Sequence, residues 1–247
     1  MTDTIKEIRI FKDIDGMADF AVEKWNEISE KEITGKGCFT VALSGGNTPL
    51  TLYRKLSGEK TLPWSKTQVF VVDERFVPYE SEENNYHMIS RILLRHVNIP
   101  AKNIHPVLTS VLTPQTSAAK YEEDLISYFK SSHKKLPQFD LVLLGIGEDG
   151  HTASLFPNTP CLKETRHQAV AVIPSDKSKR ERITLTFPVI NNSKNIVFLA
   201  TGENKAEVIK KVIEEEDGSL PAAMVKPQTG KLIFLLDEAA GSLLSRL

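Results

Sequence analysis

A histidine and two carboxylates follow a glycine-rich turn near the middle of the chain. The apolar run Leu141–Leu144 leads into Gly145-Ile146-Gly147, and Glu148, Asp149 and His151 come directly afterwards. An imidazole titrates near neutral pH, and a carboxylate that orients it helps it to take a proton from an attacking water molecule. A lone histidine is more often structural, but this one lies in a glycine-framed loop at a strand end. We therefore predict that His151 is a general base, with Asp149 either supporting it or binding a substrate hydroxyl.

A second glycine turn, Ser44-Gly45-Gly46-Asn47-Thr48-Pro49, separates the apolar run Phe39–Leu43 from the helical pattern Leu50–Leu56. Glycines let the backbone turn tightly with its N–H groups exposed, and the N-terminus of a helix attracts an anion. The pattern predicts a phosphate-binding turn; a plain strand-to-helix turn capped by Thr48 is the alternative. It matches neither a P-loop nor a dinucleotide-binding turn. Ser44 lacks the Gly-x-Ser-x-Gly frame of a serine nucleophile, which favours direct attack by water.

Three charged residues, Asp73, Glu74 and Arg75, follow the apolar strand Val69–Val72. Because charges do not continue a buried strand, we expect them to emerge at its end. There Arg75 could reach a carbonyl or phosphate oxygen, and Asp73 could accept hydrogen bonds from sugar hydroxyls. A self-contained surface ion pair fits these residues equally well.

Two single cations stand at the start of further elements. Arg182 begins the alternating run Arg182–Thr186, and Lys205 begins the helical run Lys205–Glu214. Both could point at a phosphate held by the Gly45–Gly46 turn, the first as a planar fork and the second as a point charge. Without further context, an ordinary surface cation is the commoner role for either residue.

Short apolar runs alternate with helical patterns along the chain, which predicts an α/β fold with an open, mostly parallel sheet and helices on both faces. The helical patterns include Asp15–Glu32 and Pro114–Lys130. Polar loops follow several strands, and ligands of open α/β sheets bind at the carboxyl ends of strands. We therefore expect one composite site at that edge. The predicted strands are Ile8–Phe11, Cys38–Leu43, Val69–Val72, Leu141–Gly145, Val170–Ile173, Ile196–Ala200 and Leu232–Leu236.

The composition of the 247 residues is that of an ordinary soluble protein, with 40% hydrophobic and 26% charged residues. The 31 basic and 32 acidic side chains nearly cancel, so no bulk charge attracts nucleic acid or an acidic membrane. We expect a single domain over residues 1–247. The polar start Met1–Arg9 and the lack of a long apolar run predict a cytoplasmic location. Cys38 and Cys161 are expected to be plain thiols, and no second histidine or cysteine lies at metal-ligand spacing from His151.

Taken together, these motifs resemble the 6-phosphogluconolactonase family, which belongs with the glucosamine-6-phosphate isomerase/deaminase superfamily. The similarity covers nearly the whole chain, with the motifs in the family's order. It implies the modified Rossmann-like fold of this deaminase/lactonase superfamily. It also implies hydrolysis of 6-phospho-D-glucono-1,5-lactone to 6-phospho-D-gluconate, a step of the oxidative pentose phosphate pathway. The matching segments are 43–49, 72–75, 145–157, 182–186, 201–205 and 220–223.

The resemblance further implies a role for each matching residue. His151 corresponds to the base that activates water for attack on the lactone C1. Asp73, Arg75 and Asp149 match positions near the sugar ring, and Arg75 is the candidate for stabilising the oxyanion. The implied partner is a small sugar-phosphate lactone; no cofactor, metal, nucleic acid or membrane is expected, and the protein is expected to be a monomer or weak homo-oligomer. The implied 6-phosphate pocket comprises Ser44, Gly45, Gly46, Thr48, Arg182 and Lys205.

Two segments depart from the family pattern. The residues 174–181 replace a common Lys-Pro-Pro stretch, which leaves the role of the Ser175–Glu181 loop open, and Asn84-Asn85 replaces a usual Ser-Asn pair. One rival function is an amino-sugar-phosphate isomerase/deaminase, whose Asp-Gly-His is followed by an apolar residue and Ala-Phe-Asn-Glu, where this chain has Thr152–Pro157. The other rival is a non-catalytic sugar-phosphate sensor, which normally carries a DNA-binding segment that we do not find beside these motifs.

Overall fold

The core of the protein is a seven-stranded sheet whose neighbouring strands all run parallel. The computed structural model describes residues 5–111, 113–130, 136–173 and 180–245. The strands are β1 (Ile5–Phe11), β2 (Phe39–Leu43), β3 (Thr67–Val71), β4 (Asp73–Arg75), β5 (Ile104–His105), β6 (Leu141–Leu144), β7 (Ala169–Val172), β8 (Arg182–Leu185), β9 (Asn195–Ala200) and β10 (Lys231–Asp237). The main sheet has the order β1-β10-β9-β6-β2-β3-β5, so the strand order reverses between β2 and β6.

The central strands are covered on both faces. Every side chain of β2 and of β6 is buried, and successive side chains of a strand point to opposite faces of its sheet. Both faces must therefore carry other elements, as the continuous apolar runs predict for a parallel sheet. The buried apolar residues form one cluster that extends from Met17 to Ala240. The predicted fold class, an open parallel α/β sheet, is confirmed.

Six α-helices accompany the strands in the described residues. The helix predicted at Pro114–Lys130 has those bounds, and the one predicted at Asp15–Glu32 is longer at both ends. Asp13 caps the longer helix by accepting a hydrogen bond from Gly16 N–H at 2.9 Å, and Gly37 ends it in a left-handed conformation. The helices are α1 (Ile14–Lys36), α2 (Pro49–Gly58), α3 (Asn85–Ile92), α4 (Pro114–Lys130), α5 (Phe187–Asn191) and α6 (Ala206–Ile213).

A second, antiparallel sheet carries part of the predicted site. It has the order β4-β8-β7, and β4 pairs with β8 so that Asp73 faces Thr184 and Arg75 faces Arg182. The apolar strand β3 ends before these charges, as predicted, but they continue into β4 and the two acids are not exposed at the surface. Asp73 is 6% exposed and Glu74 is fully buried, although both are acidic.

Hydrogen bonds explain why Glu74 tolerates this burial. Its carboxylate accepts the backbone N–H groups of Arg75, Asn85 and Tyr86 at 2.8, 2.7 and 2.8 Å. Buried charge is tolerated where such donors replace water. The carboxylate thereby ties β4 to the start of α3, and the same contacts exclude the alternative of a surface ion pair at this strand.

A second buried carboxylate, Asp140, lies at the amino end of β6. It contacts the ammonium groups of Lys36 at 2.7 Å and Lys194 at 3.0 Å. It also accepts hydrogen bonds from the N–H and hydroxyl of Thr40, both at 2.8 Å. Lys194 contacts Glu32 as well. This cluster joins α1, β2, β6 and β9 at the edge of the sheet opposite the predicted site.

Three further expectations concern the cysteines, membrane-spanning helices and the loop that departs from the family pattern. Cys38 and Cys161 are unpaired and partly exposed, as predicted. None of the helices in the described ranges is long and apolar enough to cross a membrane. Of the divergent loop 175–181, the part up to residue 179 lies outside the described residues.

Candidate active site

A cleft of about 430 Å³ opens at the carboxyl edge of the main sheet. It is lined by the loops that follow β2, β6 and β9, which are neighbouring strands, and it lies where the strand order reverses between β2 and β6. Open α/β sheets bind ligands at such a reversal. All the predicted site residues except Asp149 line it, namely Ser44, Gly45, Gly46, Thr48, Asp73, Arg75, His151, Arg182 and Lys205.

Asp149 instead stands behind the histidine. Its Oδ1 lies 2.5 Å from His151 Nδ1 and also accepts the His151 backbone N–H at 3.1 Å. Because Nδ1 is used in this contact, Nε2 is the nitrogen left to receive a proton from the cleft. The sequence left two roles open for Asp149, and this geometry favours the one in which it orients His151.

Gly147 makes room for this arrangement. A Cβ atom on residue 147 would lie 2.0 Å from His151 Nδ1 and 2.7 Å from Asp149 Oδ1. The loop is closed by the hydrogen bonds from Gly147 N–H to His151 O at 2.8 Å and from Gly150 N–H to Gly147 O at 3.0 Å. A side chain at residue 147 would therefore displace either the imidazole or its carboxylate.

The turn after β2 forms the opposite wall of the cleft. Gly46 has a φ of +95°, a left-handed conformation that suits glycine, and α2 begins three residues later. Gly45 packs against the amide of Asn85, because a Cβ at residue 45 would lie 1.8 Å from Asn85 Oδ1. The Thr48 hydroxyl makes no capping hydrogen bond and lies 3.3 Å from Thr201 Oγ1 across the cleft. The alternative of a turn capped by the Thr48 side chain is therefore wrong.

The floor of the cleft contains a carboxylate, Asp73, and a guanidinium, Arg182, that lie close together. Asp73 Oδ2 accepts a hydrogen bond from Ser154 Oγ at 2.6 Å and lies 3.8 Å from Arg182 Nη1. Burial lowers the pKa of Arg182, and the nearby charge of Asp73 opposes this shift. The Arg182 Nε atom is buried and has no hydrogen-bond partner among the described residues. Asp73 thus holds Arg182 in the cleft, while the Nε–H group of Arg182 has no acceptor among the described residues.

Arg75 is held at the rim by its neighbours on the loop before α3. Its Nη1 donates to Asn85 Oδ1 at 2.7 Å and to Glu83 O at 3.1 Å. Asn85 in turn donates to Asp73 O at 2.7 Å. Arg75 lines the cleft, and Arg180 and, more weakly, Arg75 lower the pKa of the nearby Glu83 carboxyl.

The cleft as a whole is cationic. Its described lining includes Arg75, Arg182 and Lys205 but only one carboxylate, Asp73. Such a surface attracts a dianionic phosphate. No group of three or more histidine, cysteine, aspartate or glutamate side chains in the described residues is arranged to hold a metal ion.

Some residues of the site were not identified as such from the sequence. Asn85 was noted only as the second residue of a divergent pair, yet it contacts Gly45, Asp73 and Arg75. Its neighbour Asn84 caps α3 by accepting a hydrogen bond from His87 N–H at 2.8 Å. An asparagine before a helical pattern signals such a cap, and this signal could have identified the loop as ordered. Other missed residues that line the cleft are Asn47, Ala153, Thr201 and Asn204.

Comparison with known proteins gives a consistent result. A family model described as glucosamine-6-phosphate isomerases/6-phosphogluconolactonase matches residues 12–234. The chain is 43% identical to a 6-phosphogluconolactonase of Nostoc over 86% of this chain and 88% of the relative. It is 41% identical to a 6-phosphogluconolactonase of Synechocystis, over 85% of this chain and 87% of the relative.

The fold of the chain also resembles that of a solved relative. The crystal structure of a 6-phosphogluconolactonase from Thermotoga maritima superposes with a TM-score of 0.81 at 34% sequence identity. The match covers 94% of this chain and 99% of that one.

Proposed function

The chain belongs to the family of glucosamine-6-phosphate isomerases and 6-phosphogluconolactonases, and from this premise we propose that it hydrolyses 6-phospho-D-glucono-1,5-lactone to 6-phospho-D-gluconate. This reaction makes it a carboxylic ester hydrolase of the oxidative pentose phosphate pathway. The observation that carries the proposal is the position of His151, with Asp149 behind it, in the same cleft as three cationic side chains. We assign one part of that cleft to proton transfer at His151 and another part, the phosphate end, to the 6-phosphate.

The phosphate end is assigned to the turn after β2 and to two cations. Backbone groups of Gly45 and Gly46, hydroxyls of Ser44 and Thr48, and the cations Arg182 and Lys205 all belong to residues that line the cleft. Backbone N–H groups at a helix start and charged donors are the usual partners of a phosphate. The 6-phosphate bound there would orient the lactone ring towards His151.

The hydrolysis itself needs a base, an oxyanion partner and an acid. His151 Nε2 takes a proton from water as the water oxygen bonds to C1 of the lactone. Arg75 stabilises the negative charge that develops on the carbonyl oxygen, since its guanidinium is held by Asn85 and lines the cleft. The bond from C1 to the ring oxygen then breaks, and the imidazolium returns its proton to that oxygen.

The proposal includes no metal and no cofactor, and water is the second reactant. We also propose that the enzyme is cytoplasmic and that it is a monomer or weak homo-oligomer. Sedimentation at several protein concentrations tests the oligomeric state, and cell fractionation tests the location. A stable complex of three or more chains would contradict the first of these statements.

A direct assay tests the reaction. Freshly made 6-phosphogluconolactone is followed against its spontaneous hydrolysis, with and without EDTA. We expect acceleration that survives EDTA, because His151 rather than a metal ion activates the water in this proposal. Acceleration that EDTA abolishes would refute the metal-free mechanism, and no acceleration by folded protein would refute the function.

The same preparation tests the rival function. An isomerase/deaminase would release ammonia from glucosamine 6-phosphate. The segment after His151 argues against this activity, because Thr152 and Ser154 are fully buried and no carboxylate lies between His151 and Pro157. We expect no ammonia above the background of the His151→Ala variant.

A further inference from the structure

The ring of Phe156 contacts two functional side chains of the cleft at once. Its centroid lies 4.5 Å from that of the His151 imidazole, with the rings tilted by 35°. The guanidinium carbon of Arg182 lies 5.4 Å from the same centroid. Phe156 itself is not among the described residues that line the cleft, and these two neighbours connect it to the site.

A tight turn brings Phe156 back to His151. Thr152 and Leu155 form an isolated antiparallel bridge, and Leu155 N–H donates to Thr152 O at 2.9 Å. Ala153 adopts a left-handed conformation with a φ of 51°, which is uncommon for a residue with a side chain. The Thr152 hydroxyl fixes the turn to Gly145 O at 2.9 Å. Strained backbone of this kind persists where surrounding contacts determine it.

The hydrogen bond to Asp149 leaves one motion of the imidazole free. A contact at Nδ1 fixes the position of that nitrogen, but the ring can still rock about the axis of the contact. A flat surface against the ring face stops such rocking. Phe156 supplies this surface, and the absence of a side chain at Gly147 leaves room for the Nδ1 and Cε1 edge of the ring.

We propose that Phe156 is a positioning residue: its ring sets the plane of the His151 imidazole and also holds the Arg182 guanidinium in place. The proposal rests on the proposed function, in which His151 is the general base. When His151 carries its proton, two cations contact one aromatic ring, and the ring attracts both through its quadrupole. The Phe156 ring thus orients His151 before it takes the proton. After the proton transfer, the ring lies between the imidazolium of His151 and the guanidinium of Arg182.

The test compares Phe156→Leu with Phe156→Tyr, which keeps the ring. We expect Phe156→Leu to lower kcat about tenfold, because small displacements of a catalytic group have large effects on rate. We expect it to raise KM about threefold through Arg182, in line with the strength of a cation–π contact. Phe156→Tyr should restore both values to within about twofold of the wild type. Values for Phe156→Leu within twofold of the wild type would overturn the proposal.

Phe20→Leu is a matched control. Phe20 is also partly buried, and it contacts the ring of Phe11 at 5.3 Å and the cations Arg9 and Lys24 at 5.8 and 5.4 Å, yet it lies on α1 outside the cleft. It should keep kcat and KM. If Phe156→Leu does not fold, Phe156→Met replaces it, since methionine fills irregular space without a flat ring. Equal losses in the Phe20 and Phe156 variants would reduce the effect to general packing and overturn the proposal.

A double-mutant cycle separates this proposal from the function on which it rests. In the His151→Ala background, Phe156→Leu should change kcat by less than about twofold, because the group it positions is gone, while the rise in KM remains. A further tenfold loss of kcat in that background would overturn the positioning role. Normal turnover of His151→Ala alone would instead refute the general base.

Discussion

Two buried carboxylates lie at opposite edges of the molecule, and the protein stabilises them in different ways. Asp140 is surrounded by the cations Lys36 and Lys194 and by Thr40. Glu74 is held by three backbone N–H groups. Burial alone would raise the pKa of Asp140, but the hydrogen bond and charge of Lys36 hold it below its ordinary value. At Glu74 burial dominates and raises the pKa from its ordinary value of 4.5 to about 7.

The charged groups have different roles at the two edges of the sheet. At the amino edge, the lysines and the acids Glu32 and Asp140 satisfy one another, and that cluster offers nothing to a ligand. At the carboxyl edge, the Glu74 carboxylate accepts hydrogen bonds from backbone N–H groups, and the nearby cations Arg75 and Arg182 line the cleft. Changes to the cluster at the first edge should therefore affect stability and leave turnover unchanged, and changes to the cleft residues at the second edge should affect turnover or substrate affinity.

The largest expected effect is on turnover. His151→Ala should lower kcat about 10²–10⁴-fold, because a general base contributes a factor of this size. The free energy of unfolding should change little, since His151 is only partly buried. Initial rates of lactone hydrolysis and thermal unfolding measure the two quantities. Near-normal turnover would remove His151 from the mechanism.

The reverse pattern is expected at the opposite edge. Asp140→Ala should lower the free energy of unfolding by about 3 kcal/mol, because it breaks a buried ion pair and leaves Thr40 without its acceptor. Lys36 and Lys194 are partly exposed and can turn to water, which keeps the cost from being larger. Turnover per folded molecule should stay within twofold. Glu27→Ala, which breaks an exposed pair with Lys24, is the control and should cost less than about 1 kcal/mol.

A smaller effect, visible in the pH dependence of stability, is expected for Glu74→Gln. The native pKa of Glu74 lies above its unfolded value, so the native protein holds the proton more tightly. The stability that this group contributes is therefore fully present below about pH 4.5 and is lost as the pH rises through about 7. Relative to Glu74→Gln, the wild type should lose about 2–3 kcal/mol between pH 5 and pH 8.

Chemical denaturation at several pH values measures this difference. Glu30→Gln, at an exposed position of α1, is the control and should run parallel to the wild type. Parallel curves for wild type and Glu74→Gln would show that the two carboxylates do not differ in the way described.

The smallest effect is expected at the rim of the phosphate end. Thr48→Val keeps the shape of the side chain and removes the hydroxyl that faces Thr201. KM should rise about threefold to tenfold, the value of one hydrogen bond, with kcat within twofold. Thr51 lies in the first turn of α2, shortly after Thr48 and outside the cleft lining, and Thr51→Val serves as the control. An unchanged KM would exclude the Thr48 hydroxyl from phosphate binding.

The sequence predicts the strands and loops of the site well where the signal is local. Leu141–Leu144 is wholly apolar and is followed by a glycine, so its strand and the loop after it could be inferred from neighbouring residues. The same holds for the turn at Gly45 and Gly46. Each prediction depends on a pattern within about ten residues of chain.

The parts that could not be predicted depend on long-range partners. The burial of Asp73 and Glu74 requires β8, more than a hundred positions further on, and the N–H groups of Asn85 and Tyr86. The contacts of Asn85 with Gly45 and Arg75 likewise appear only after folding. Phe156 matched an apolar position of a motif, and nothing in its spacing shows that its ring faces His151.

The pairing of β2 with β6, which joins Val41 to Leu141, has a consequence for how the protein folds. The two walls of the cleft come from distant parts of the chain, and parallel pairings of this kind form slowly because a long loop must close first. Helices such as α1 can form from local contacts well before that step. During refolding, the return of activity should therefore lag behind the return of helical signal, and a partly folded chain should be inert even when most of its secondary structure is in place.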